Sequence, residues 1–366
     1  MKTVRRLLYR DIVSSVVFVG LAFLSLFFFI DLVDQLDGVG QKGRTVAIAV
    51  LAALYALPGH AYELMPIAVL IGTIYALSRM AQSSEFTILR TGGLGPRRAL
   101  LLLAGLGVAF AAVTFVIGDI VAPASERQAV LLKARAGGGL RLSGPGAWLK
   151  EKHGQADSAH AVSANVGGLA GDGTLTDVRI YEFNAQGRLV QRLAAPRARV
   201  EGDGHWLLSD AEQLRWPEDG GPVLVQRLPS LRWATTLNAQ VVAAALLPAE
   251  TMTTWALWRY SGHLAEQDQA AQRYELQFWK RALYPLACIV MVALALPFAY
   301  LQSRSGGVSL KVFGGILLGI SFVLLNNIAG HLGVLSDLTP WVVSAAPGLL
   351  YLLLSLAAFA WLVRYR

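Results

Sequence analysis

Residue types that usually carry chemistry are sparse in this 366-residue chain, and their spacing argues against an enzyme. The six histidines stand at 60, 153, 160, 205, 263 and 331, and no two have the helical spacing of a metal-binding pair. The single cysteine, Cys288, sits in an apolar run, which excludes an intrachain disulfide and a thiolate metal site. No GxxxxGK(S/T) loop cradles nucleotide phosphates, and neither HExxH nor GxSxG marks a hydrolase. His60 and Glu63, and later Asn326, Asn327 and His331, fall within long apolar stretches. Polar groups there either mark a transport path or hydrogen-bond between helices, and the second is the plainer reading.

The elements that must position these groups are membrane spans. Hydrophobic residues make up 55% of the chain and charged residues 15%, whereas soluble domains carry about 25% charged. Six stretches approach the roughly 20 apolar residues that cross a bilayer. They are Ile12 to Val33, Val46 to Leu77 (interrupted by Pro58 and Pro66), Ala99 to Val121, Ala282 to Leu301, Val312 to Leu335 and Trp341 to Val363. The first follows Lys2, Arg5 and Arg6 but is too long for a signal-peptide core, so it is expected to be a real span.

Charge gives these spans a direction. Residues 125–277 hold 16 Lys/Arg and 16 Asp/Glu; the chain totals of 32 and 24 leave 16 and 8 elsewhere, so the whole excess of +8 lies in the membrane part. That distribution offers no basic face for nucleic acid. Lys2, Arg5, Arg6, Arg10, Arg79, Arg90, Arg97, Arg98, Arg304, Lys311, Arg364 and Arg366 fall on one side. The other side has Lys42, Arg44, Lys280 and Arg281 among Asp31, Asp34, Asp37 and Asp337. The basic side is cytoplasmic, which puts both termini there and the long middle insert outside.

From about Gly144 to Ala245 short alternating runs separated by turns predict an antiparallel sheet. The runs are Gly173 to Phe183, Arg188 to Leu193, Arg197 to Glu201, Trp206 to Leu208, Val223 to Arg227 and Leu231 to Trp233. Turns are expected at 184–187, 202–204 and 217–221. Helical patterns flank the insert, at Glu126 to Arg135 and as two helices within 249–280 joined near Ser261-Gly262. The organisation is therefore 1–135 for the first three spans, 136–248 for the β domain, and 249–366 for connecting helices and three more spans. In the second basic loop, residues 81–92 read as a short amphipathic helix, with Ser83 or Ser84 as cap and Gly92-Gly93 as stop. It is either a plain interfacial helix or a docking helix for a cytoplasmic partner.

Val33-Asp34-Gln35-Leu36, Ala81-Gln82-Ser83-Ser84-Glu85 with Arg90-Thr91-Gly92-Gly93, Val121-Ala122-Pro123, Gly146 to Lys150 and Arg273 to Trp279 occur in an informative order. In that order and topology the chain resembles the LptF/LptG permease family of the lipopolysaccharide ABC exporter, nearer its LptG branch. The resemblance implies an α-helical membrane protein with six transmembrane helices in two groups of three and an inserted, jellyroll-like periplasmic β domain. It implies a permease in the bacterial inner membrane that extracts lipopolysaccharide and passes it to a periplasmic bridge. The implied partners are an LptF-type permease, two LptB-type ATPase subunits, LptC and the LptA bridge. No cofactor is implied for this chain, because ATP and magnesium are used by the ATPase.

By the same resemblance Glu85, with Ser84 and Arg90, belongs to the ATPase-coupling helix. An anionic, acylated substrate calls for cations at the outer interface. Lys133 matches a basic family position; Arg135, Lys42, Arg44 and Arg127 are further candidates for binding lipopolysaccharide. Two positions depart: Asp31 stands where some relatives carry Lys, and Val130 where the family has Arg. The alternatives are the LptF-type subunit of the same complex, a secondary transporter of small solutes, and a membrane-anchored enzyme with its site on the β domain.

Overall fold

The computed structural model describes residues 2–37, 39–40, 45–136, 140–141, 146–153, 160–170, 172–201, 204–217, 221–235, 237, 242, 249–266, 271–300, 308–335 and 338–365. The chain forms two compact units. One comprises Met1–Asp31, Ala56–Ser125 and Gln272–Arg366, the other Leu32–Tyr55 and Glu126–Ala271. The helices are α1 (Lys2–Leu36), α2 (Val46–Gln82), α3 (Glu85–Thr91), α4 (Pro96–Val116), α5 (Ala122–Ala136), α6 (Thr254–Glu266), α7 (Gln272–Leu283), α8 (Ala287–Tyr300), α9 (Val308–Leu335) and α10 (Pro340–Tyr365). Among the described residues six helical stretches are long and apolar enough to cross a membrane.

Backbone groups in lipid have no water to bond, so a span that keeps its helical ladder tolerates proline. Accordingly Pro58 and Pro66 lie inside one 37-residue α2 and do not interrupt it. Between α4 and α5 the helix widens into a π turn, Ile117–Val121, closed by the Ala122 N–H on the Ile117 carbonyl. Pro123 follows directly; it has no N–H, and its ring would strike the carbonyl four residues back in a regular helix. The core of this unit gathers Ile12, Leu70, Ile74, Leu103, Cys288 and Met291. Small residues allow the helices to approach closely. A Cβ on Gly72 would lie 2.6 Å from the Val16 Cα, and one on Gly107 2.9 Å from the Ile289 Cα. The connection expected at Ser261-Gly262 is instead continuous helix within α6, which is described to Glu266, and α7 begins at Gln272.

The insert is one antiparallel sheet of β1 (Leu140–Arg141), β2 (Ala147–His153), β3 (His160–Leu169), β4 (Leu175–Phe183), β5 (Leu189–Glu201), β6 (His205–Arg215) and β7 (Leu224–Ala234). β1 and β2 share one edge of β3, and β3 to β7 then pair in sequence as a meander, without a Greek-key crossover among the described strands. The sheet curls on itself. Thr235 Oγ1, just past β7, donates to Glu151 Oε2 on β2 at 2.6 Å, although these strands lie near opposite edges. Trp206 fills the interior, donating from Nε1 to the Leu237 carbonyl at 2.9 Å, with the Trp233 ring edge-on at 5.4 Å.

A line of irregularities runs across the strands: Gly167 faces Asp177, Asp177 faces Pro196, and Asp210 faces Pro229. Asp177 and Asp210 have φ of 51° and 53°. At each step the burial pattern slips by one residue. Buried Leu175 is followed by Val178, Ala195 by Ala198, and Leu208 by Ala211. The slip occurs in neighbouring strands together, so the side chains that face inward change phase while the pairing register stays the same on both sides. Proline is tolerated there because the ladder skips Pro196 and Pro229, so no ladder N–H is needed. The runs read from the sequence as broken at Pro196 and Pro229 are therefore single long strands, β5 and β7.

Candidate functional site

The two-residue break after α2 separates the loop helix from the span. Residues 81–82 continue α2, so the helix expected over 81–92 is the seven-residue α3 alone. Ser84 does not cap it: its φ is 61° and its side chain makes no cap hydrogen bond, while Ser83 Oγ bonds back to the Met80 carbonyl at 3.3 Å. The far end stops at glycine as the sequence indicates, with the Gly92 N–H on the Ile88 carbonyl at 2.9 Å and Gly93 at φ +101°.

One face of α3 is seated in the membrane core. Phe86 is buried and meets the Tyr300 ring edge-on, with centroids 5.1 Å apart. Arg90 lies over the same ring, its guanidinium carbon 5.5 Å from the centroid. Leu94, just beyond, is also buried. The opposite face is open: Glu85 and Thr87 are exposed, and Ile88 is 66% exposed. Nearby, Arg79 pairs with Asp11 at 3.2 Å, and Tyr9 donates to the Leu102 carbonyl at 2.8 Å, tying α1 to α2 and α4. The loop thus presents a carboxylate and an aliphatic side chain on a short helix held from behind. Arg90 belongs to the holding face, a role invisible in the sequence because Tyr300 is 210 positions away.

The outer cations are less fully placed. Arg127 is exposed on α5. Lys133 and Arg135 lie on the same helix, but their side chains are outside the described residues, as are Lys42 and Arg44 entirely. Among the described residues no group of three His, Cys, Asp or Glu side chains is arranged to hold a metal.

Some of the intramembrane polar groups have partners that spacing did not reveal. His60 Nε2 is 2.8 Å from Asp31 Oδ2, with the side chains 23% and 21% exposed, and the Phe27 ring lies 4.8 Å from the imidazole. Asp31, the departure noted above, is thus one half of an α1–α2 pair. Tyr62 fits into the notch that Gly118 leaves in the π turn, where any side chain would collide with its ring. Tyr62 also meets Tyr284 at 5.0 Å, and the Tyr284 hydroxyl donates to the Glu63 carbonyl at 2.5 Å. These contacts brace α2 against the turn Tyr284–Leu286 and the π turn.

The comparisons with known proteins agree with this architecture. The family model for the lipopolysaccharide export system permease LptF/LptG matches residues 6–363. The chain is 27% identical over 356 residues to the lipopolysaccharide export system permease protein LptG of Escherichia coli strain K12, covering 96% of each. It is 25% identical over 355 residues to the protein of the same name from Haemophilus influenzae strain Rd, again covering 96% of each.

Proposed function

The chain belongs to the LptF/LptG family of lipopolysaccharide export system permeases, and from that premise we propose that it is the LptG-type subunit, which draws lipopolysaccharide from the inner membrane and hands it to a periplasmic bridge. It is a multi-pass membrane permease of an ABC exporter. ATP hydrolysis then belongs to two LptB-type subunits on the cytoplasmic side. The observation that carries the reading is a family match spanning both groups of helices and the inserted sheet.

Two features support the partnership. The open face of α3 offers Glu85 and Ile88 as a contact for the ATPase, while Phe86 and Arg90 transmit displacement into the helices behind. Ser84 shapes the entry to this helix through its backbone. In addition, only 6% of an apolar 18-residue stretch of α1 is buried by its own chain, against 72% for such a stretch of α2. A second permease of LptF type is a natural cover for such a face. Lys133, Arg135, Arg127, Lys42 and Arg44 are the proposed contacts for lipid phosphates, and LptC and LptA the proposed recipients. Both termini are cytoplasmic and the sheet periplasmic in this reading.

The test is a pull-down of the tagged, detergent-solubilised chain with mass spectrometry of protein and lipid. Co-purification of an ATPase, a second six-span permease and lipopolysaccharide is expected. A chain that purifies with no ATPase at any salt would overturn the assembly.

A further inference from the structure

Helices α7 to α10 and the turn Tyr284–Leu286 enclose a cavity of about 170 Å³. Its walls are mainly apolar, with Val290, Phe322 and Leu352 among them. It is not sealed: Leu286 and Leu349, also in its lining, are 51% and 55% exposed. On spanning helices such a surface meets lipid or another membrane chain. A dry cavity of about 150 Å³ already accepts a benzene-sized apolar ligand, so this one has room for part of a single acyl chain.

Two hydrogen-bond donors join this apolar space. Lys280 and Asn326 both line it, and neither side chain makes a hydrogen bond or ion pair with a described residue. The charge of the Glu63 carboxylate reaches Lys280, but from beyond ion-pair distance. The neighbouring hydroxyls are committed elsewhere: Ser344 to the Pro340 carbonyl at 2.9 Å, Tyr284 to that of Glu63. Glycines shape both ends. A Cβ on Gly330 would collide with the Lys280 ammonium, so the missing side chain is what seats it there. Gly348 has open space where its side chain would be. An ammonium against apolar walls without a hydrogen-bond partner is costly, and an anion that arrives with its own hydrocarbon lowers that cost.

We propose that this cavity holds part of one acyl chain of an anionic glycerophospholipid from the surrounding bilayer, with its phosphate accepting hydrogen bonds from Lys280 and Asn326. A one-chain space built by a single subunit suits a membrane phospholipid better than lipopolysaccharide, whose several chains need a wider cavity.

The test uses the full-length chain with whatever subunits accompany it, delipidated in detergent. It is titrated with dioleoyl phosphatidylglycerol or dioleoyl phosphatidylcholine and read by native mass spectrometry. One phosphatidylglycerol is expected to bind about tenfold more tightly than phosphatidylcholine, the equivalent of one charge-assisted hydrogen bond. Lys280→Gln should erase that preference. Gly330→Ala, which displaces only the flexible end of Lys280, should reduce it. Gly348→Phe should remove the site for both lipids; if that variant does not assemble, the Lys280→Gln ratio decides alone. Equal affinity for the two lipids in the unaltered chain would overturn the proposal. So would stoichiometric displacement of phosphatidylglycerol by added lipopolysaccharide, which would assign the cavity to the transported substrate.

Discussion

Glu85 and Arg90 share one seven-residue helix and are both exposed, but Arg90 lies over the Tyr300 ring. Glu85 is exposed, so reversing its charge leaves the fold alone and acts on whatever docks there. Glu85→Lys is expected to weaken ATPase association by about 2 kcal/mol or more, the range for a paired interface charge. Normal stimulation of ATP hydrolysis in the assembled variant would remove Glu85 from the contact. Arg90→Ala removes a cation–π contact of about 0.5–1 kcal/mol. It should loosen α3 locally, seen as faster amide exchange over 85–91 with an unchanged melting temperature. At the outer interface, Lys133→Glu should lower photo-crosslinking to lipopolysaccharide, and unchanged crosslinking would return Lys133 to the solvent. Glu85 was legible as a candidate because its segment is contiguous. The partners of Arg90 and Asp31 were not, since Tyr300 and His60 reach them only through packing.

At the scale of elements, close helix approach makes sharper demands than composition does. Gly72→Ala sets a Cβ against the Val16 backbone, which cannot move aside without parting α1 from α2. A loss of about 1–3 kcal/mol, the usual cost of overpacking, is expected as a lower thermal midpoint. Gly118→Ala meets only the Tyr62 ring. Its cost should therefore be largely recovered in the double variant with Tyr62→Ala, a coupling that a thermodynamic cycle reads directly. If the two losses simply add, the π-turn notch is not what seats Tyr62. In the sheet, alternation revealed strands wherever the pattern held its phase. It lost them at Pro196 and Pro229, where the burial pattern slips by one residue while the strands stay in register.

For the whole molecule the open question is direction. The lone cysteine is buried, its Sγ 3.3 Å from Thr114 Oγ1, so a Cys288→Ser background is available for labelling. Gln186→Cys, in the exposed β4–β5 turn, should react with a membrane-impermeant maleimide from the outer face of the inner membrane, and Ser84→Cys should not. The reverse pattern would invert the orientation drawn from the basic loops. Span number and the existence of a sheet follow from contiguous sequence. Partition into lipid depends on runs of about 20 residues, and strand formation on local alternation. Packing alone decided the rest: Asp31 beside His60, Tyr300 under Arg90, and Lys280 and Asn326 at one cavity. Each of those pairings joins segments remote in the chain, and the energies that select them act between surfaces that exist only once the helices and strands have come together.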